Sequence, residues 1–133
     1  MPYVHLVVGL ALAEFLLFAV LVTKARIRYK VPAPAITGNE VFERYFRVQM
    51  NTLEQLVVFL PAILIFARYL SPYIAAALGL VFIIGRLVYL QGYVKDPKKR
   101  EFGFILSVLP NAILLAGAIY GAVRALWITG FTG

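Results

Sequence analysis

The sequence predicts an all-α integral membrane protein built as a bundle of four transmembrane helices. Three observations carry this expectation. Hydrophobic residues fill 62% of the 133 positions and charged residues only 14%, and the mean hydropathy is +0.88. That is more apolar surface than a soluble domain of this size needs, and it is gathered into stretches long enough to cross a bilayer. The breaks between stretches are marked by proline, at Val31 to Ala35, at Ser71-Pro72 and at Asp96-Pro97.

Composition also removes whole classes of chemistry. There are no cysteines and one histidine, His5, so neither disulfides nor a thiolate or imidazole metal centre is expected. Any nucleophile must come from a substrate or from weaker side chains. The net charge of +7 comes from clustered basic residues rather than a spread patch, so nucleic acid is not an expected partner.

The first helix is expected over Tyr3 to Val22, about 20 residues and enough to cross a ~30 Å hydrocarbon core. It lacks the basic flank and small-residue cleavage site of a removable signal peptide. His5 falls near the membrane edge. Glu14 falls near the middle, where a carboxylate is costly unless it is protonated or partnered, so it should face the protein interior. It serves either a proton-coupled transport site or a neutral or hydrogen-bonded packing role between helices. Thr23 to Lys30 gives this helix a basic C-terminal end, which suits the macrodipole. Either Thr37, in a capping box with Glu40, or Asn39 then caps the second helix.

The second helix should run from Glu40 to Tyr69, on the order of 45 Å at 1.5 Å per residue, so its first turns project beyond the hydrocarbon. Pro61 is expected to kink it. The third should run from Tyr73 to Val94. Arg86, Tyr89 and Tyr93 fall on one face of it, as an interfacial aromatic belt or as a binding face. Asp96 as N-cap and Pro97 at the first helical position would start the fourth helix, placing Arg100 in its anion-favouring first turn. Phe102 to Leu126 is the fourth span, interrupted at Pro110-Asn111. Gly117 and Gly121 make a GxxxG match suited to close helix contact. The tail from Thr129 to Gly133 is expected to be loose.

Polar chemistry concentrates in Glu43 to Gln55, directly against the apolar run Leu56 to Phe66. At ~100° per residue, Arg44, Arg47, Asn51, Glu54 and Gln55 occupy roughly a third of the helix circumference, while Gln49 points nearly the opposite way. This is either a solvated helix end or a site that neighbours on both sides complete. Of the 13 Lys and Arg residues, six lie between Lys24 and Arg47 and four between Lys95 and Arg100. Basic connections stay cytoplasmic, so the first and third loops are expected inside and both chain ends outside. The polar start of helix two, the Arg86/Tyr89/Tyr93 face and Arg100 then converge at the cytoplasmic surface. They would form a cationic, tyrosine-lined pocket for a small anionic ligand that meets lipid-soluble molecules.

Two segments carry a family resemblance. Glu43-Arg44 with Arg47-Val48-Gln49-Met50-Asn51-Thr52-Leu53-Glu54, followed by Arg86-Leu87-Val88-Tyr89-Leu90-Gln91-Gly92-Tyr93, resembles the MAPEG family, the membrane-associated proteins of eicosanoid and glutathione metabolism. The likeness runs from Ala25-Arg26 to helix four, so residues 1–133 read as one transmembrane domain. It implies a homotrimer of four-helix subunits in the membrane lipid, with glutathione as co-substrate between neighbouring subunits at the cytoplasmic face. It also implies glutathione contacts at Arg26, Arg47, Gln49, Asn51, Glu54, Tyr89 and Tyr93, with Lys30, Arg44 and Arg86 as further candidates. Arg100 corresponds to the arginine proposed to stabilise the thiolate. The family arrangement further suggests that Arg47 and Arg100 serve one site from different chains. Gln55 and Ile27 replace a tyrosine and an arginine of leukotriene synthases. This favours a glutathione transferase or peroxidase acting on lipophilic electrophiles or lipid hydroperoxides. The rival classes are a small proton-coupled multidrug transporter using Glu14 and a non-catalytic lipid-binding member of the same fold. A multi-pass protein of this pattern suits a bacterial inner membrane and the endoplasmic reticulum alike.

Overall fold

The computed structural model describes residues 1–130. Four long helices are present: α1 Pro2–Tyr29, α2 Glu40–Tyr69, α3 Pro72–Lys95 and α4 Glu101–Thr129, with a short 3₁₀ turn at Pro97–Lys99 before α4. All four are long and apolar enough to cross a membrane. Helix α2 packs against each of the other three, and α3 joins both α1 and α4, so α1 and α4 flank the central α2–α3 pair.

Local chemistry sets the boundaries. The Asn39 side chain accepts from the Phe42 backbone N–H at 3.0 Å and starts α2, so Asn39 rather than Thr37 is the cap. Ser71 does the same for α3, accepting from Ile74 at 3.2 Å, with Pro72 at the first helical position. Helix α1 ends at Lys30, which adopts a left-handed conformation at φ 56°, and its last turn carries Arg26 and Arg28 where cations meet the negative end of the dipole.

Two expectations require correction. Asp96 caps the 3₁₀ turn, accepting from Lys98 N–H at 3.1 Å, and Arg100 is the N-cap residue of α4 rather than part of its first turn. Proline at 97 closes a tight turn there, and the α-helix begins only after it. Pro110-Asn111 does not interrupt α4, and α2 runs from Glu40 to Tyr69 with Pro61 inside it, as expected. Losing one N–H leaves one carbonyl free, four residues back. For Pro110 that carbonyl belongs to Leu106, and it lies so close to α3 that a Cβ on Gly85 would come within 2.8 Å of its oxygen.

The core is aromatic and aliphatic. Phe59 and Phe82 stack at 4.1 Å, among Val4, Val7, Leu56, Ile63, Phe66 and Leu114. Gly117 and Gly121 face Phe66 and Tyr69, so the GxxxG pair serves the α2–α4 contact. Large side chains such as Leu16, Val57, Ile84, Ile105 and Trp127 point outward, the arrangement lipid favours. Thr129, expected in a loose tail, closes α4 and donates its hydroxyl to Ala125 at 2.7 Å. Positions 131–133 of that tail lie outside the described residues.

Candidate functional site

Spacing of three and four residues on α2 puts Arg47, Met50, Asn51 and Glu54 on one face. Tyr89 and Tyr93, four apart on α3, and Arg100 at the start of α4 complete a cavity of about 360 Å³. Six of the predicted residues therefore share one pocket. The arrangement offers two guanidinium groups, one carboxylate, one amide and two phenols, a set suited to a small zwitterionic or anionic ligand. The start of α2 is held to the end of α3 by Arg44, whose Nη1 donates to the Val94 carbonyl at 3.0 Å.

Arg100 reaches the pocket because the 3₁₀ turn lies tightly against α3. A Cβ on Gly92 would stand 2.6 Å from the Lys99 carbonyl oxygen, so only glycine lets the turn close in this way. The Arg100 guanidinium then lies 6.0 Å from the Tyr93 ring centroid, and Tyr93 packs at 5.5 Å against Tyr89. Tyr89 is 5% exposed, which makes it a pocket wall and not part of an interfacial belt.

Arg86 lies behind this wall. It is fully buried, its Nη1 donates to Asn51 Oδ1 at 2.8 Å, and its guanidinium stacks 4.4 Å over the Tyr89 ring. It does not line the cavity but holds two residues that do. Glu14 faces the interior, as expected, at 7% exposure.

Other candidates lie apart. Arg26 donates to the Ala35 carbonyl at 2.6 Å and lies 4.7 Å over Phe42. With Lys30 it borders a separate groove of about 580 Å³ on the α1 side. Gln49 lines neither cavity. Arg44 borders an adjoining cavity with Arg47 and Tyr93. The expectation that Arg47 and Arg100 act from different chains is overturned, because one chain brings both to the same pocket. Met50 was missed, although its position between Arg47 and Glu54 on the helix already placed it on that face. Gln55 is tied to α4, since Asn111 Nδ2 donates to its Oε1 at 3.0 Å and to its carbonyl at 3.1 Å. Among the described residues, no three His, Cys, Asp or Glu side chains gather where they could hold a metal ion.

Fold and site together define a four-helix membrane protein with a cationic, tyrosine-walled pocket at one end of the bundle. The chain matches the MAPEG family across residues 4–120 and belongs to it. It is 48% identical over 114 residues to an uncharacterized protein of Synechocystis sp., covering 86% of this chain and 83% of the relative. It is 45% identical over 103 residues to human microsomal glutathione S-transferase 2, covering 77% and 70% of the two chains. Leukotriene C4 synthase of Bos taurus is 31% identical over 111 residues, covering 84% of this chain and 64% of the relative.

Proposed function

We propose that this chain is a membrane-bound glutathione transferase that conjugates glutathione to lipophilic electrophiles and reduces lipid hydroperoxides with the same thiolate. The observation that carries the reading is the pocket of Arg47, Asn51, Glu54, Tyr89, Tyr93 and Arg100, in a chain 45% identical to a microsomal glutathione S-transferase. Arg47 pairs with a glutathione carboxylate and Glu54 with its amino group, while Asn51 and the tyrosines fix the backbone between them. Arg100 meets the sulfur. The subunits form a homotrimer, and Arg26, Gln49 and Lys30 of a neighbour close the site from the other side. The pocket faces the cytoplasm, since the basic connections flank it.

A free thiol has a pKa of ~8.5, so only a few per cent is ionised at neutral pH. Lowering that by about two units requires roughly 2.7 kcal/mol of preferential stabilisation of the anion. A guanidinium beside the free N–H groups of a helix start supplies a stabilisation of that scale in a partly dry site. The thiol proton leaves to water. The sulfur electron pair then forms a C–S bond as the leaving group departs with its own pair. With a hydroperoxide, the thiolate instead takes the outer oxygen, giving a sulfenic acid and an alcohol after protonation, and a second glutathione converts the sulfenic acid to disulfide and water.

The test is the ultraviolet thiolate band on adding glutathione to purified protein. A band at neutral pH, with turnover of a lipophilic electrophile, is the expected result. Binding without the band would leave a non-catalytic member of the fold, and absence of binding would remove the glutathione reading altogether. Transport coupled to Glu14 would need that carboxyl reachable from water, and its burial between helices stands against that role.

A further inference from the structure

Two buried charged side chains lie outside the pocket, and the mechanism uses neither directly. Glu14 lies on α1 between Ala11 and Phe18, and Arg86 lies on α3 between Phe82 and Tyr89. Ala11 and Phe82 belong to one packed cluster, and Phe18 and Tyr89 belong to the next, with Val48. Glu14 and Arg86 are each about one turn from both clusters, so the same two packed layers bracket both residues.

Their free hydrogen-bonding groups are complementary. Arg86 spends Nη1 on Asn51, while its Nε and Nη2 are buried without a protein partner, as are both carboxylate oxygens of Glu14. The Nε–Nη2 edge of a guanidinium is a two-donor fork that matches a carboxylate. Isolated charges at this depth are costly, and intramembrane ionisable groups pair with one another. Among the described residues the only direct ion pair is Arg44 with Glu40, on the surface, so Glu14 and Arg86 are not in direct contact.

We infer that Glu14 and Arg86 form a buried charge pair that positions the pocket wall. Glu14 offsets the charge at the free edge of the Arg86 guanidinium, and Arg86 in turn fixes Asn51 and the Tyr89 ring. Both are positioning residues, since neither lines the cavity. The effect on glutathione rests on the reading of the pocket as a glutathione site, whereas the pair itself can be read without ligand.

The ligand-free readout is magnetic resonance of protein labelled with ¹⁵N-arginine. One guanidinium Nε–H should be protected from solvent exchange, should vanish in Arg86→Lys, and should shift or lose protection in Glu14→Gln. An Nε–H signal indifferent to Glu14→Gln overturns the pair. The second readout is kinetic. Glu14→Gln should raise the KM for glutathione about five- to tenfold and leave kcat within about twofold, because Asn51 and Tyr89 act on bound ligand in ground and transition states alike. In an Asn51→Ala background the same change should raise KM by a clearly smaller factor, since the route through Asn51 is cut and only the one through Tyr89 is left. Fully additive fold-changes, or an unchanged KM with normal wild-type binding, would overturn the positioning role. If wild-type protein fails to bind glutathione, the pocket reading falls and the resonance still decides the pair. Should Glu14→Gln not fold, Glu14→Asp, which keeps the charge on a shorter stem, should show the same resonance shift in milder form. Failure of both to fold while Asn51→Ala folds would assign Glu14 to assembly alone.

Discussion

Arg47 and Arg100 line one cavity but should fail in different ways when replaced. Arg47 meets a carboxylate that is charged throughout the reaction, so Arg47→Leu should weaken glutathione binding by roughly 10- to 100-fold, the scale of a charge-assisted hydrogen bond. Arg100 meets a sulfur whose negative charge is present only after ionisation. Arg100→Leu should therefore lower kcat by roughly 10- to 100-fold at neutral pH, the scale of a helix-end cation's share in the thiolate shift, while glutathione affinity changes little. Raising the pH should partly rescue it, because solvent base then supplies the thiolate. The check is the thiolate band titrated against pH alongside equilibrium binding. A wild-type titration curve for Arg100→Leu would remove Arg100 from this role. The α2 side of the pocket was legible in the sequence, because Arg47, Asn51 and Glu54 repeat at helical spacing and a helix fixes their common face. Arg86 was legible only as a member of the tyrosine row. That it turns inward to Asn51 depends on how α2 and α3 pack, which periodicity along one helix does not specify.

Helix boundaries followed the sequence closely where a single side chain decides them, as with Asn39 and Ser71. They departed where two local signals compete. Asp96-Pro97 satisfies the start of both a 3₁₀ turn and an α-helix, and only the docking of the turn against α3 selects the first. That docking gives a prediction at Gly92. Gly92→Ala would place a methyl group 2.6 Å from the Lys99 carbonyl oxygen, so the turn must move out and carry Arg100 away from Tyr93. The expected result is a folded protein that binds glutathione but forms less thiolate, resembling Arg100→Leu in milder form; normal thiolate formation would show that the turn is not what places Arg100. Of the prolines inside α2 and α4, Pro110 was overread as a break, because neighbouring helices absorb a single freed carbonyl. Asn111, beside one of them, ties α4 to Gln55 through two hydrogen bonds. Polar contacts of this kind contribute on average ~0.6 kcal/mol in membrane helices. Asn111→Ala should accordingly lower thermal stability by only a few degrees and leave glutathione affinity unchanged, measured by denaturation in detergent and by equilibrium binding.

At the scale of the whole molecule, the two sets of candidate residues face different directions and one chain cannot unite them. Arg47, Asn51, Glu54, Tyr89, Tyr93 and Arg100 share a pocket, whereas Arg26 and Lys30 border a groove on the α1 side. A cyclic assembly would resolve this, since it sets one face of each subunit against the other face of its neighbour. Mixing defective subunits tests the arrangement. An Arg26→Leu subunit keeps its own pocket, and an Arg100→Leu subunit keeps its own groove. In randomly mixed rings of equal proportions, about one quarter of the sites would pair an intact pocket with an intact groove, because each half is intact with probability one half. Activity should therefore recover toward about a quarter of the wild-type value, above the residual rate of either variant alone. Mixing Arg47→Leu with Arg100→Leu is the internal control. Both lesions lie in the same pocket of one chain, so every pocket carries one of them and no activity should return. Recovery in the control, or none in the Arg26 mixture despite proven subunit exchange, would show that the two faces do not meet in one site.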